Sequence, residues 1–201
     1  MTSFIDGVVE FYVWPMDIDA KSMDRLQSCD VQVYNRNLPV LSDKSLDQHQ
    51  YILEHVNRAS DLADIISSTI EAVCIKYDKD IEDVVIANEG FAFSAKGDAA
   101  LQLAGYKYIL MNTLIENGFK IFKTYSPITI KKTAGCSKRG LGKDAMINAL
   151  SNEPVDNHLI QILHDDPEYL KKKTNYVLCM DDIADSYWCY KTCLNDINGK
   201  R

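Results

Sequence analysis

Two places in the sequence put carboxylates where packing gives no reason for them. Glu89 ends an apolar run, residues 84–88, whose β-branched composition and charged and glycine borders predict a buried strand. Asp182 and Asp185 lie three residues apart in a segment with helical character, so they would project from one face about a turn apart. Carboxylates this close repel each other unless a cation shares them, but acids in a first helical turn also offset the helix dipole. The spacing alone leaves both interpretations open.

A basic segment lies between these carboxylates. Residues 117–143 contain no Asp or Glu but seven basic side chains: Lys120, Lys123, Lys131, Lys132, Lys138, Arg139 and Lys143. Its glycine-containing part, residues 135–143, lacks a nucleotide-binding phosphate loop, because Leu141 stands where the Walker lysine would be. A flexible loop that contacts a DNA backbone fits better, and the alternative is a solvated loop with a chance excess of lysine.

Together these residues match the requirements of metal-dependent phosphodiester hydrolysis. Carboxylate oxygens are the ligands that Mg²⁺ prefers, and two ions about 4 Å apart can stabilise the entering and leaving oxygens of a displacement. Lysines nearby can neutralise the charge that develops on the phosphate and hold flanking phosphates. The pattern therefore favours a nuclease site.

The elements that would position these residues follow from local patterns. Asp6-Gly7 between two β-rich runs predicts a hairpin, which makes Asp6 a turn residue. Pro15 and the acidic residues 16–30 would end its second strand and lead into irregular structure up to about residue 43. Ser45 and Gln48 predict the capping box of a long helix that ends near Tyr77. Further predictions are a helix from Asp98, as its N-cap, to residue 117 and an edge strand over 119–125 that Pro127 ends. A helix over 144–150, two short helical pieces within 155–173 that are broken at Pro167, and a last helix with the two aspartates follow.

Length and composition set the broad class. At 201 residues, with 46% hydrophobic and 25% charged residues, the chain suits one soluble α/β domain over residues 1–201. It lacks an apolar run long enough for a membrane span, so we expect no membrane partner. Six cysteines without C-x-x-C spacing predict free thiols in a reducing cytoplasm. The net charge of -7 argues against a nucleic-acid partner, but the acid-free basic segment outweighs that sum.

The strand-end Glu89, the small polar loop that leads into an Ala/Leu-rich helix, and the lysine-containing segment 126–135 together resemble the RuvC-like Holliday junction resolvases, in the variant carried by bacteriophages and other large DNA viruses. The likeness covers residues 84–195. It implies an RNase H-like mixed sheet flanked by helices, endonucleolytic cleavage of branched double-stranded DNA in recombination or repair, a homodimer, and two Mg²⁺ or Mn²⁺ ions per site. It also implies the cytoplasm of a bacterial host or of a virus-infected cell.

The resemblance assigns roles to individual residues. Glu89 matches the carboxylate of the family's fourth strand, and Asp182 with Asp185 match the Asp-x-x-Asp of its last helix, so these three would bind metal and act in catalysis. Lys131 matches the lysine after the fifth strand. Lys143 matches the catalytic lysine before the next short helix. Lys132, Lys138 and Arg139 would join these two lysines in binding DNA.

One family feature has no counterpart in the sequence. The family's central first strand carries an Asp in a G-x-D motif, whereas this sequence opens at what resembles the second strand. Either a first strand of roughly 15 residues is missing or supplied by another polypeptide, or the chain is a degenerate homologue. With three carboxylates instead of four, we expect weak metal binding and little or no cleavage by the chain as written, and a catalytically inactive DNA-binding or structural protein is the alternative function.

Overall fold

The computed structural model describes residues 1–36, 47–90, 98–138, 141, 144–172 and 175–199, without the side chains of Gln48 and of residues 98–100. Its fold is of mixed α/β type, with small sheets and long helices. The chain divides into two compact units: unit 1 takes residues 1–39, 87–90 and 125–201, and unit 2 takes residues 40–86 and 91–124. One domain over the whole chain stays a prediction.

Unit 1 begins with the predicted hairpin. Strands β1 (Thr2–Ile5) and β2 (Val8–Val13) pair antiparallel, with Ile5 opposite Val8. Asp6 and Gly7 form the turn with φ of 51° and 89°, the left-handed conformations that a two-residue hairpin loop needs. Asp6 is thus the turn residue that the sequence predicts.

The segment after β2 is more regular than the sequence suggests. Helix α1 (Ala20–Gln27) follows the N-cap Asp19, and strand β3 (Gln32–Val33) pairs parallel with β2. We predicted irregular structure here, which is wrong. The Asp19 side chain accepts hydrogen bonds from the backbone and hydroxyl of Ser22, and this cap was the missed signal.

The rest of unit 1 is mostly helical. It contains α4 (Pro127–Thr133), α5 (Asp144–Leu150), α6 (His158–Asp165), the 3₁₀ turn Pro167–Leu170, the short strands β6 (Lys171–Lys172) and β7 (Asn175–Tyr176), and α7 (Met180–Ile197). The predicted helix over 144–150 and the helical break at Pro167 are confirmed. Helix α7 packs on β1, β2, α4 and α5, and its Met180, Ile183 and Tyr187 are fully buried.

Unit 2 contains the helices α2 (Gln48–Lys76) and α3 (Asp98–Glu116), with the 3₁₀ turn Ile81–Asp83. The capping box of α2 uses Asp47 and Gln50, not the predicted pair of Ser45 and Gln48, and Ser45 lies outside the described residues. Asp98 is the first helical residue of α3 where we predicted its N-cap. The two helices pack along each other, with Gln102 bonded to Tyr51 and Asn117 bonded to Ser67.

Strands β4 (Val85–Glu89) and β5 (Ile121–Tyr125) lie where the sequence patterns predict strands, and the two pair as a two-stranded sheet. Residues 85–88 are half-buried, where we expected a buried strand. None of the six cysteines, all of which the structure describes, forms a disulfide: five are buried and Cys136 is half-buried. Within the described part of the chain, no helix has the length and apolarity that a bilayer crossing requires.

Candidate functional site

Glu89 lies at the exposed carboxyl end of β4, and hydrogen bonds fix this end within unit 1. The backbone N–H of Gly90 donates to the carbonyl of Tyr125 at 2.7 Å. The Tyr125 hydroxyl donates in turn to Asp196 Oδ2 on α7 at 3.0 Å. The strand end is therefore linked to α7 through one aromatic side chain.

Helix α7 presents three aspartates on its solvent side. Its buried positions include Met180, Ile183, Ala184 and Tyr187, and this spacing leaves Asp181, Asp182 and Asp185 exposed. Asp181 and Asp182 occupy the first turn, where acids also offset the positive end of the helix dipole. The sequence singles out Asp182 and Asp185 but not Asp181, although Asp181 is adjacent in the chain.

The electrostatics of Asp185 show that the acids of β4 and α7 lie close enough to interact. Its pKa is raised from 3.8 to about 6, first by burial and then by repulsion from Glu89, Asp181 and Asp182. The carboxylate is part of an exposed residue, yet enough surrounding protein lies on its inner side to weaken its hydration. Glu89, which is distant in sequence, is the largest of the charged contributors.

Lys131 provides the opposing charge. It lowers the pKa of Asp185 and lies with Lys132 in the last turn of α4, exposed to solvent. The predicted end of the strand before Pro127 is confirmed, but the sequence patterns did not predict the helix that follows, which has Ser126 as N-cap and Pro127 in its first turn. This Ser-Pro pair is a helix-start signal that the sequence offered.

Helix α4 is anchored on α7, which fixes where Lys131 lies. Ile130 and Ala134 are buried in the core of unit 1. The hydroxyl of Thr192 on α7 donates to Thr133 on α4 at 2.9 Å. The two helices that carry Lys131 and Asp185 are thus held together by apolar packing and by a hydroxyl pair.

The structure describes two of the four remaining residues that we predicted to bind DNA. Lys132 and Lys138 are exposed, and Gly135, after α4, has a φ of 70° that ends the helix. Arg139 and Lys143 lie outside the described residues. The part of the basic segment that the structure describes therefore contains strand β5 and helix α4, and the described residues from 134 onward are not helical.

The three predicted metal ligands are chemically suited to a hard cation. Glu89, Asp182 and Asp185 supply only carboxylate oxygens, and Asp185 experiences excess negative charge that a divalent cation would relieve. Among the residues that the structure describes, however, no group of three or more His, Cys, Asp or Glu side chains converges as a metal cluster would. The donor set fits Mg²⁺ or Mn²⁺ by chemistry, and ligation would require the side chains to turn toward a common point.

Comparison with family models, with curated proteins and with solved structures found no match to this chain.

Proposed function

We propose that the protein is a metal-dependent endonuclease that cleaves branched double-stranded DNA, in the manner of a Holliday junction resolvase with an RNase H-like fold. The observation that carries the proposal is the repulsion of Asp185 by Glu89, Asp181 and Asp182, with Lys131 on the neighbouring helix acting against it. Mutually repelling carboxylates beside an exposed lysine suit a site that takes up divalent cations and a phosphodiester together.

In the proposed reaction the carboxylates would bind metal and the lysines would bind phosphates. Glu89, Asp182 and Asp185 would hold Mg²⁺ or Mn²⁺, which would polarise the scissile phosphate and lower the pKa of the attacking water. Asp185 would have to lose its proton to bind a cation, so cation binding would weaken below about pH 6. Lys131 and Lys132 would pair with phosphates, and their place on an anchored helix would hold the backbone against the carboxylates.

Cleavage of a synthetic four-way junction in Mn²⁺ tests the proposal. We expect nicking by the wild-type protein that is lost in Glu89→Gln and in Asp185→Asn. The matched control is Asp24→Asn, which neutralises an exposed aspartate on α1 and should cleave as the wild type does. Equal cleavage by Asp185→Asn and Asp24→Asn would contradict the proposed role of the carboxylates.

The DNA-binding part of the proposal has its own test. Replacement of Lys131 by alanine should weaken junction binding and lower the slope of log affinity against log salt by about 1, since one phosphate contact is lost. Lys21→Ala, at an exposed position on α1, is the control and should leave the slope unchanged. A Lys131→Ala protein with the wild-type slope would exclude a backbone contact at this residue.

The alternative function is that of a catalytically inactive DNA-binding or structural protein. The observation in its favour is that the described carboxylates do not converge as a metal cluster. Junction binding that depends on Lys131, without any nicking in Mn²⁺ and without a Mn²⁺ effect on stability, would support this alternative. Two opposed cuts across a junction need two catalytic centres, so the nuclease proposal includes a homodimer.

A further inference from the structure

Three aromatic side chains form a stack on the three-stranded sheet of unit 1. The rings of Tyr12 and Trp14 lie 6.4 Å apart with 14° between their planes, and the rings of Trp14 and Tyr34 lie 5.8 Å apart at 12°. We call these three residues the aromatic stack. On α7, by contrast, the rings of Tyr187 and Trp188 meet at 87°. Near-parallel rings are the arrangement that a further planar ring can continue.

The stack lies on the face of the sheet that points away from the core. Phe11 and Val13 of β2 belong to the core of unit 1, and side chains alternate between the two faces of a strand. Tyr12 and Trp14 therefore point to the opposite face. The backbone N–H of Tyr34 donates to the Val13 carbonyl at 2.9 Å, which continues the pairing of β3 with β2 and places Tyr34 beside Trp14.

The stack is fixed at its inner end and exposed at its outer end. Tyr12 is 5% exposed, and its hydroxyl donates to Glu10 Oε2 at 2.8 Å. The indole N–H of Trp14 has no hydrogen-bond partner among the described residues, and rings lie on both sides of this side chain. Tyr34 is 44% exposed. A ring that is already held by its neighbours loses little conformational freedom when a ligand ring stacks on it.

Polar side chains beside Tyr34 indicate the kind of ligand. Strand β3 is at the edge of its sheet, and beyond it the backbone N–H of Arg36 donates to the Pro15 carbonyl at 3.0 Å, so the extended pairing continues. Val33 packs against the core, so Gln32, Tyr34 and Arg36 share the opposite face. A guanidinium can pair with a phosphate, and an amide can bond to the edge of a base.

These features favour a nucleic acid over the other ligands that pack on aromatic rings. A proline-rich peptide also docks on aromatic side chains, but it does not bring the phosphate with which Arg36 could pair. Every nucleobase has a flat π face that an aromatic side chain can cover, whereas a base inside a duplex is already stacked on its neighbours. The ligand that fits is therefore an unpaired base.

We propose that the aromatic stack binds single-stranded nucleic acid, with an unpaired base stacked on Tyr34 and a neighbouring phosphate paired with Arg36. None of these residues belongs to β4, α4 or α7, which carry the proposed nuclease site. The inference goes beyond the proposed function, because it requires neither a metal nor cleavage. The nuclease proposal can fail while this one stands, and the reverse also holds.

Fluorescence anisotropy of a labelled oligothymidylate of about 12 nucleotides, with a chelator present, tests the proposal. We expect Tyr34→Ala to weaken binding by roughly tenfold, which is the effect of one lost base stack, and Tyr34→Phe to stay within about threefold of the wild type because it keeps the ring. The matched control is Tyr169→Ala, at a tyrosine with 38% exposure outside the stack, which should bind as the wild type does. Absence of wild-type binding, equal weakening by both alanine variants, or binding of a proline-rich peptide in place of the oligonucleotide would overturn the proposal.

An abasic oligonucleotide of the same length separates stacking from charge. It keeps the phosphates and lacks the rings, so it should bind the wild type roughly tenfold more weakly and should not respond to Tyr34→Ala. Arg36→Gln should lower the slope of log affinity for the oligothymidylate against log salt by about 0.7, the value for one phosphate contact on a single strand. Equal affinity for the two oligonucleotides would show a contact with phosphates alone and would overturn base stacking.

Tryptophan fluorescence reports on the site itself. Oligothymidylate should quench Trp14, which belongs to the stack, but not Trp188, which is 3% exposed and donates to the Met146 carbonyl at 3.0 Å. The quenching should therefore be absent in Trp14→Phe. Quenching that persists in this variant would place the oligonucleotide elsewhere and overturn the proposal. Circular dichroism spectra that match the wild type establish that each variant is folded.

Discussion

The Asp185→Asn substitution should stabilise the folded protein at neutral pH while it removes a proposed metal ligand. The Asp185 carboxylate is partly desolvated and is repelled by Glu89, Asp181 and Asp182, and for these reasons its pKa is raised to about 6. An ionised Asp185 is therefore less favourable in the folded protein than in the unfolded chain. Asparagine keeps the shape and removes the charge.

The size of the effect follows from the pKa. A rise from 3.8 to about 6 would correspond to about 3 kcal/mol at 1.36 kcal/mol per pKa unit, but the side chain is exposed, so solvent screening reduces the expected gain to about 1 kcal/mol. Between these pH values the folded state binds more protons than the unfolded state, so the free energy of unfolding of the wild type rises as the pH falls from 6 toward 4. The advantage of the variant is thus full above about pH 6 and absent below about pH 4.

Urea unfolding of both proteins at pH values from about 4 to 8 measures this difference. We expect the variant to be more stable by about 1 kcal/mol at pH 7, and the two proteins to be equally stable near pH 4. Mn²⁺ should raise the stability of the wild type and not of the variant, since only the wild type keeps the ligand. A variant that is less stable at pH 7, or a gain that does not change with pH, would refute the electrostatic reasoning.

Three further predictions concern single contacts. Glu89→Gln should lower the pKa of Asp185, because it removes the largest charged contribution, and carboxyl ¹³C shifts followed against pH would measure this; an unchanged pKa would place Glu89 too far away. Tyr187→Phe removes the 2.6 Å hydrogen bond to Glu153, which also accepts from Lys191, and should lower the free energy of unfolding by about 1–2 kcal/mol; a neutral change in urea unfolding would contradict it. Gly118→Ala puts a side chain at φ 95°, with its Cβ 3.1 Å from Ile81 Cδ1, and should cost at least about 1 kcal/mol, whereas Gly199→Ala at φ 67° meets no neighbour and should cost less.

Local signals predicted most of the elements well. The Asp6-Gly7 hairpin, the strand that ends at Glu89 and the helix over 144–150 each depend on turn chemistry or periodicity within a few residues. Helices α1 and α4 were missed because polar or lysine-rich composition was weighed above the caps Asp19 and Ser126. The pairing of β3 with β2 could not be predicted, since two residues carry no periodicity.

The sequence predicted which residues form the candidate site, but not the hydrogen bonds that hold their helices and strand in place. The odd placement of Glu89 and the spacing of Asp182 and Asp185 both showed in the sequence, and the structure brings these residues into electrostatic contact. The hydrogen bonds that hold them there join Tyr125 to Asp196 and Thr192 to Thr133, across 71 and 59 positions of the chain. Such contacts depend on tertiary packing, which no local pattern specifies.

The negative charge around α7 contributes to the raised pKa of Asp185 and would also favour the binding of a divalent cation that we propose. Glu89, Asp181, Asp182 and Asp185 raise the local negative potential, and Lys131 acts on Asp185 against them. Together with burial, this excess favours the protonated form of Asp185 and so raises its pKa, and the divalent cation that we propose to bind there would lower that pKa again. A proton and a divalent cation would therefore compete for the Asp185 carboxylate. Lys131 on α4 lies close enough to Asp185 to lower its pKa, so a basic side chain accompanies these acids in unit 1 although the net charge is -7, as the proposed binding of DNA would require.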